Sequence, residues 1–158
     1  MAAANVSLRP RMLNFEAEDL FSANKIMVGG GNAGPQSMSG FGSGWSNNNQ
    51  LFWGQGSPGA VLDLILDVPA AATYAVELYM TRAPDYGILK IEVDGKASPV
   101  EFYGYSPRVI GANPVQVGKF SLQAGQRKIS FMIIDKNENS TGYAAGIDRV
   151  KLYPVGAP

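Results

Sequence analysis

Apolar and polar residues alternate with a period of two along most of this chain. Tyr74, Val76, Leu78 and Met80 share one side of a segment whose other side carries Ala75, Glu77 and Tyr79. Leu89, Ile91 and Val93 alternate in the same way with Ile88, Lys90 and Glu92. This period belongs to half-buried strands, because successive side chains of a strand point to opposite faces. The apolar run Val61–Val68 is broken at Asp63 and Asp67, which leaves one buried face. Further strands are predicted over residues 13–17, 50–53, 116–122, 128–134 and 147–153, with Asp94-Gly95 as a tight hairpin turn. No long helical period is present, and only residues 19–21 have helical character, enough for one short turn. Short strands without intervening helices predict an all-β jelly roll, a β-sandwich of two antiparallel sheets.

One region breaks the rhythm. Residues 29–49 are rich in Gly, Ser and Asn, including Gly29-Gly30-Gly31 and Asn47-Asn48-Asn49. The stretch is too long for a hairpin loop, and loops of that length are functional or disordered. Phe41 and Trp45 within it predict a loop that packs on the rest of the protein. With no internal repeat and no linker, residues 1–11 read as an N-terminal extension and residues 12–158 as a single domain. Met1-Ala2-Ala3-Ala4-Asn5 carries no basic and apolar signal region, which neither shows nor excludes secretion.

Composition narrows the function. Of 158 residues, 46% are hydrophobic and 16% charged, enough for a packed core. Thirteen basic residues balance thirteen acidic ones, so no basic excess exists to follow a phosphate backbone, and nucleic acid is not expected as a partner. No apolar run is long enough to span a membrane. The chain has no cysteine and no histidine, which removes thiolate and imidazole zinc sites, cysteine nucleophiles and Ser-His-Asp triads. Asp63, Asp67, Asp85, Asp94 and Glu101 could in principle supply a carboxylate pair for glycoside hydrolysis, but no spacing selects one. The glycine run lacks the lysine and the strand-to-helix context of a phosphate loop. The expectation is therefore a protein that is not an enzyme. Asn5-Val6-Ser7 and Asn139-Ser140-Thr141 fit the N-glycosylation pattern.

Two constellations carry candidate chemistry. Glu16 and Glu18, two apart in a predicted strand, would point to one face, where their charges repel unless a cation intervenes. Asp148 could join them if the first and last strands lie side by side, and the hard cation that suits an all-oxygen set is calcium. A solvated acidic strand end paired with Arg149 is the other reading of the same residues. The second constellation is aromatic: Trp45, Phe52, Trp53, Tyr86, Tyr103, Tyr105 and Tyr143. Aromatic faces bury the C–H patches of sugar rings, while polar neighbours bind hydroxyls. Alternate loops of a jelly roll gather at one end, so the 82–87 loop, with Arg82, Asp85 and Tyr86, could meet the 136–143 loop. Phe52 or Trp53 could equally belong to the core, Tyr86 could merely close a turn, and Tyr143 and Asn137 could serve loop packing.

Several motifs occur in the order found in carbohydrate-binding modules of the family 6 and family 35 type. Phe15-Glu16-Ala17-Glu18-Asp19 resembles their opening strand, and Val68-Pro69-Ala70-Ala71-Ala72-Thr73-Tyr74 a turn between two strands. Ile91-Glu92-Val93-Asp94-Gly95-Lys96 is similar to their hairpin, and residues 118–129 to a strand pair. Gly146-Ile147-Asp148-Arg149-Val150-Lys151-Leu152 resembles their closing strand. The resemblance implies a galactose-binding-domain-like sandwich with a structural calcium held by Glu16, Glu18, Asp148 and backbone carbonyls. It also implies a sugar site in the loops at one end, using aromatics and an Asn before the closing strand. Asn137 and Asn139 occupy that loop, and Tyr103 or Tyr105 stands near the position of the family's loop tryptophan. The sugar-binding residues expected are Tyr86, Asp85, Arg82, Tyr103, Tyr105, Asn137, Asn139, Tyr143 and Trp45. The function implied is non-catalytic binding of a polysaccharide or oligosaccharide, by a module attached to a secreted or cell-surface glycan-degrading enzyme through a covalently linked catalytic domain. A second reading keeps the sandwich without a sugar site. It makes the chain a structural or assembly protein, for which near-zero net charge permits self-assembly.

Overall fold

A computed structural model describes residues 9–155. The Asn5-Val6-Ser7 sequon and most of the expected N-terminal extension lie outside the described residues. Every strand ladder is antiparallel. The strands are β1 (Leu13–Glu16), β2 (Ile26–Gly29), β3 (Asn32–Ser37), β4 (Asn49–Gly54), β5 (Val61–Val68) and β6 (Ala72–Arg82). They continue with β7 (Ile88–Val93), β8 (Lys96–Tyr103), β9 (Ile110–Gly111), β10 (Val115–Leu122), β11 (Gly125–Asp135) and β12 (Ala145–Val155). A single α-helix, α1 (Ala17–Ser22), and two 3-10 turns, Ser39–Phe41 and Ser46–Asn48, complete the described elements.

One sheet runs β10-β6-β12-β4-β3, with β1 and β9 pairing at its sides, and the other runs β2-β5-β11-β7-β8. The alternation seen in sequence is what closes them on each other. Leu62, Leu64 and Leu66 of β5, Ile129 and Phe131 of β11, and Leu89 and Ile91 of β7 meet Tyr74, Val76 and Leu78 of β6 and Val150 and Leu152 of β12. Burying such rows is the dominant favourable term of a sandwich. The Asp94-Gly95 turn has positive φ at both residues, 49° and 79°, the geometry that matches the twist of the paired strands β7 and β8.

Strand β12 organises the first sheet. One side pairs with β6; the other pairs with β4 over Ala145 to Ile147 and with β1 over Arg149 to Leu152. First and last strands thus lie side by side, as expected. The β6 ladder slips between Ile147 and Arg149, leaving Asp148 as the extra residue of a bulge. A bulge bends its strand and re-aims a side chain.

The 29–49 region differs from the expected long irregular loop. It holds the end of β2, all of β3, and both 3-10 turns. Trp45 packs down, with 7% of its surface exposed, whereas Phe41 remains 45% exposed. No helix among the described residues is long and apolar enough to cross a membrane.

Candidate functional site

The acidic constellation assembles, but by a different route from strand alternation. Ala17 opens α1, so Glu16 ends β1 and Glu18 sits on the first turn of the helix. The bulge brings Asp148 alongside, and one carboxylate oxygen from each of the three lies within 4.8 Å of the others. Glu18 and Asp148 are 7% and 4% exposed. Asn14 Nδ2 donates to Glu16 at 2.8 Å, and the Ser46 backbone N–H donates to Asp148 at 3.1 Å. Four oxygens remain buried without a partner: Glu16 Oε1, both of Glu18, and Asp148 Oδ1. Arg149 does not neutralise the group by an ion pair. Its guanidinium stacks 4.4 Å from the centre of the Tyr79 ring, and no salt bridge among the described residues involves it.

Burial, with the charges of Glu16, Asp148 and Asp19 added and a backbone hydrogen bond opposing, pushes the Glu18 carboxyl up to about 7. Burial likewise pushes Asp148 up to about 6, against the Ser46 N–H and Arg149 and with Glu16. Three carboxylates with orphaned oxygens in one place form a donor set of oxygen only, which fits a hard divalent cation. The residues could hold a metal ion.

The loops expected to meet do so. Residues 82–87 and 140–144 are joined by Thr141 N to Pro84 O at 3.0 Å, Ala144 N to Asp85 O at 3.0 Å and Gly87 N to Ala144 O at 2.9 Å. The Ser140 hydroxyl donates to Tyr86 O at 2.8 Å. The 103–106 loop joins through Ala83 N to Gly104 O at 2.9 Å and Ser106 N to Ala83 O at 3.2 Å. At this end of the sandwich lies a cleft of about 460 Å³ lined in part by Phe52, Gln55, Asp85, Thr141 and Tyr143.

The expected aromatic and polar residues divide. Asp85 and Tyr143 line the cleft. Tyr86 is 4% exposed, and its hydroxyl accepts from Gln50 Nε2 at 3.0 Å; burial pushes that phenol up to about 12. It packs beside Phe52, a wall of the cleft, and its buried ring has no open face on which a sugar could stack. Trp45 is likewise buried and lines no part of the cleft, and its indole N–H donates to Thr81 Oγ1 at 2.7 Å. Arg82 stacks over the buried Phe102 ring, 5.4 Å from its centre, and does not line the cleft. Tyr103 is 58% exposed, Tyr105 bridges to Ala83, and Asn137 Oδ1 accepts from Asn139 N at 2.9 Å to close its own turn. None of Tyr103, Tyr105, Asn137 and Asn139 lines the cleft.

Phe52 and Trp53, which the sequence leaves open between core and site, are separated by the structure. Trp53 is fully buried, with its N–H on Gly30 O at 2.9 Å. Strand alternation then turns Phe52 to the outer face, where it is half-buried beside Tyr86, ring centres 6.2 Å apart. Gln55 carried no sequence signal beyond being a polar loop residue, and Thr141 was marked only as part of the Asn139-Ser140-Thr141 sequon.

No family model matches the chain, and no curated protein matches it. Solved structures do. A xanthan lyase from Paenibacillus superposes with a TM-score of 0.76 at 17% identity, over 95% of this chain and 14% of the lyase. A family 35 carbohydrate binding module from Clostridium thermocellum superposes with a TM-score of 0.54 at 21% identity, over 89% of this chain and 98% of the module. A GH26-CBM35 β-(1,4)-mannanase of Podospora anserina gives 0.59 at 19% identity, over 95% of this chain and 29% of the enzyme. This chain therefore spans a small part of the two enzymes and nearly all of the module. At these identities the likeness shows the fold.

Proposed function

We propose that this chain is a non-catalytic carbohydrate-binding module that recognises glycan in the cleft between Phe52 and Tyr143. The observation that carries the reading is that cleft: two aromatic side chains with Asp85, Thr141 and Gln55 between stitched loops, on the fold of a family 35 module. An apolar ring beside convergent hydroxyl, amide and carboxylate groups suits the mixed surface of a sugar. Three of the other candidate carboxylates sit beside cationic side chains. Asp67 lies 3.0 Å from Lys25 Nζ, Asp63 3.9 Å from Lys128 Nζ, and Asp94 3.3 Å from Arg127 Nη1. Asp94 also accepts from the Lys128 backbone N–H at 2.9 Å.

The working context that agrees with this role is a secreted or cell-surface protein in which the module is covalently joined to a glycan-active catalytic domain. Holding such a domain on polysaccharide raises its effective substrate concentration. Calcium at Glu16, Glu18 and Asp148 would tie β1, α1 and β12 together and stabilise the folded state by being bound only there.

The reading is tested by affinity electrophoresis against a panel of plant and microbial polysaccharides. Retardation by at least one glycan is expected, weakened about tenfold, or about 1.4 kcal/mol, in Phe52→Ala and Tyr143→Ala. A folded protein that binds no glycan would leave this function without support.

A further inference from the structure

A second depression adjoins the loop cleft. It holds about 380 Å³ and lies along β3 and β4, lined in part by Asn32, Gly34 and Gln36. The two depressions share Phe52, Gly54 and Gln55 as walls, so they adjoin at these residues. We infer that together they form one groove that binds the interior of a linear, uncharged glycan chain, with the β3–β4 floor holding the sugar units that follow the one in the loop cleft. This rests on the proposed function and extends it to a substrate class.

The floor is built by two glycines. A side chain at Gly54 would collide with the Phe52 ring, since its Cβ would fall 2.7 Å from Cε2. The ring therefore lies down along β4 over Gly54. Gly34 is the cross-strand partner of Phe52, and a Cβ there would meet nothing within 4 Å. An ordinary residue opposite Phe52 would stand beside the ring and fill the trough. Glycine leaves it open, at the cost of the strand stability that glycine forfeits. Asn32, Gly34 and Gln36 occupy alternate positions of β3, so they share one face over roughly 13 Å of strand. That length exceeds a single pyranose ring, which is why a chain and not a terminal sugar fits it.

The chemistry along the groove is that of neutral hydroxyl recognition. Asn32 Nδ2 donates to Gln55 Oε1 at 2.5 Å, which fixes two amides at the junction, and Gln50 Nε2 donates to Gln36 Oε1 at 2.7 Å at the far end. Gln55 has φ of +60°, a left-handed conformation uncommon for a side-chain-bearing residue, and the strain is held where the two depressions meet. Among the residues lining either depression Asp85 alone carries formal charge, and the Lys136 ammonium, 5.9 Å from the Tyr143 ring centre, is turned to Ser140 O at 3.0 Å. A single carboxylate repels uronates and accepts hydroxyl hydrogen bonds.

The test is calorimetric titration with oligosaccharide ladders, one to six units long, from the neutral polysaccharides that retard the protein, beside matched uronate-containing ladders. Affinity is expected to rise at least tenfold between one and four neutral units. Gly34→Ile has no positive φ to strain and no neighbour to strike, and it should abolish that rise in a protein that stays folded, with a melting temperature no lower than the parent's. Affinity independent of length, or a length dependence that Gly34→Ile does not touch, would overturn the extended groove while the loop-cleft function stands. Preference for the uronate ladder would overturn the uncharged substrate class. Absence of binding to every glycan would remove the function and this inference together.

Discussion

Gln50 shows how single side chains hold the candidate site in shape. It is fully buried on the outer side of the first sheet, and both ends of its amide are used. Nε2 serves Gln36 and Tyr86, and Oε1 accepts from the Thr81 hydroxyl. Thr81, also fully buried, in turn accepts from the Trp45 indole. A side chain on Gly146, the β12 partner of Phe52, would occupy the space of the Gln50 amide, so this glycine belongs to the same arrangement. Buried chains of this kind are worth little net when complete and much when broken, because an orphaned polar group retains its full desolvation cost. Thr81→Val orphans both the Gln50 carbonyl and the Trp45 N–H. It should lower unfolding stability by about 2–3 kcal/mol, read from urea titration, whereas Thr81→Ser keeps the hydroxyl and should cost less than about 1.5 kcal/mol.

Elements were legible in the sequence where one face is buried and the other is wet. The turn Asp94-Gly95 and strands β5, β6 and β7 follow from alternation because Leu, Val, Ile and Tyr at every second position face the opposite sheet. Strands β2, β3 and β8 carried no such signal. They lie at or near sheet edges, and β3 reads Asn-Ala-Gly-Pro-Gln-Ser with no fully buried residue. Backbone pairing to β4 makes it a strand, and Pro35 at an edge lacks only a donor that no neighbour needs. The acidic cluster was legible as three residues but not as a geometry, because neither the start of α1 at Ala17 nor the bulge at Asp148 can be read from spacing.

That geometry sets the pH behaviour of the metal-free protein. With folded pKa values of about 7 for Glu18 and about 6 for Asp148, above the ordinary 4.5 and 3.8, the native state holds more protons than the unfolded state between roughly pH 4 and 7. Stability must then fall as pH rises through that window. In chelator, the melting temperature should be higher at pH 5 than at pH 8, by roughly 2–4 °C for each kcal/mol. Asp148→Asn should flatten the dependence in chelator, and calcium should raise the melting temperature of the parent protein most at pH 8. A melting temperature insensitive to calcium at every pH would remove the metal from the account.

At the scale of the whole molecule, the acidic cluster and the proposed glycan groove are joined by one short segment. Ser46 donates its N–H to Asp148, and Trp45 beside it anchors Thr81, hence Gln50, hence Tyr86, against which the Phe52 ring rests. Residues 49–54 then run on as β4, whose outer face is the groove floor. A cation that draws Asp148 toward Glu16 and Glu18 acts on the same carboxylate that holds this segment. If the cation fixes the segment, glycan binding must by reciprocity tighten cation binding, since a coupling free energy has no direction. Calcium removal should therefore weaken glycan affinity severalfold under conditions where the protein stays fully folded, and saturating glycan should lower the calcium dissociation constant by the same factor. The Thr81→Val variant, if stable enough to titrate, should lose that coupling while keeping the acidic cluster intact. Equal glycan affinities with calcium and with chelator would show that the two sites share a fold and nothing more.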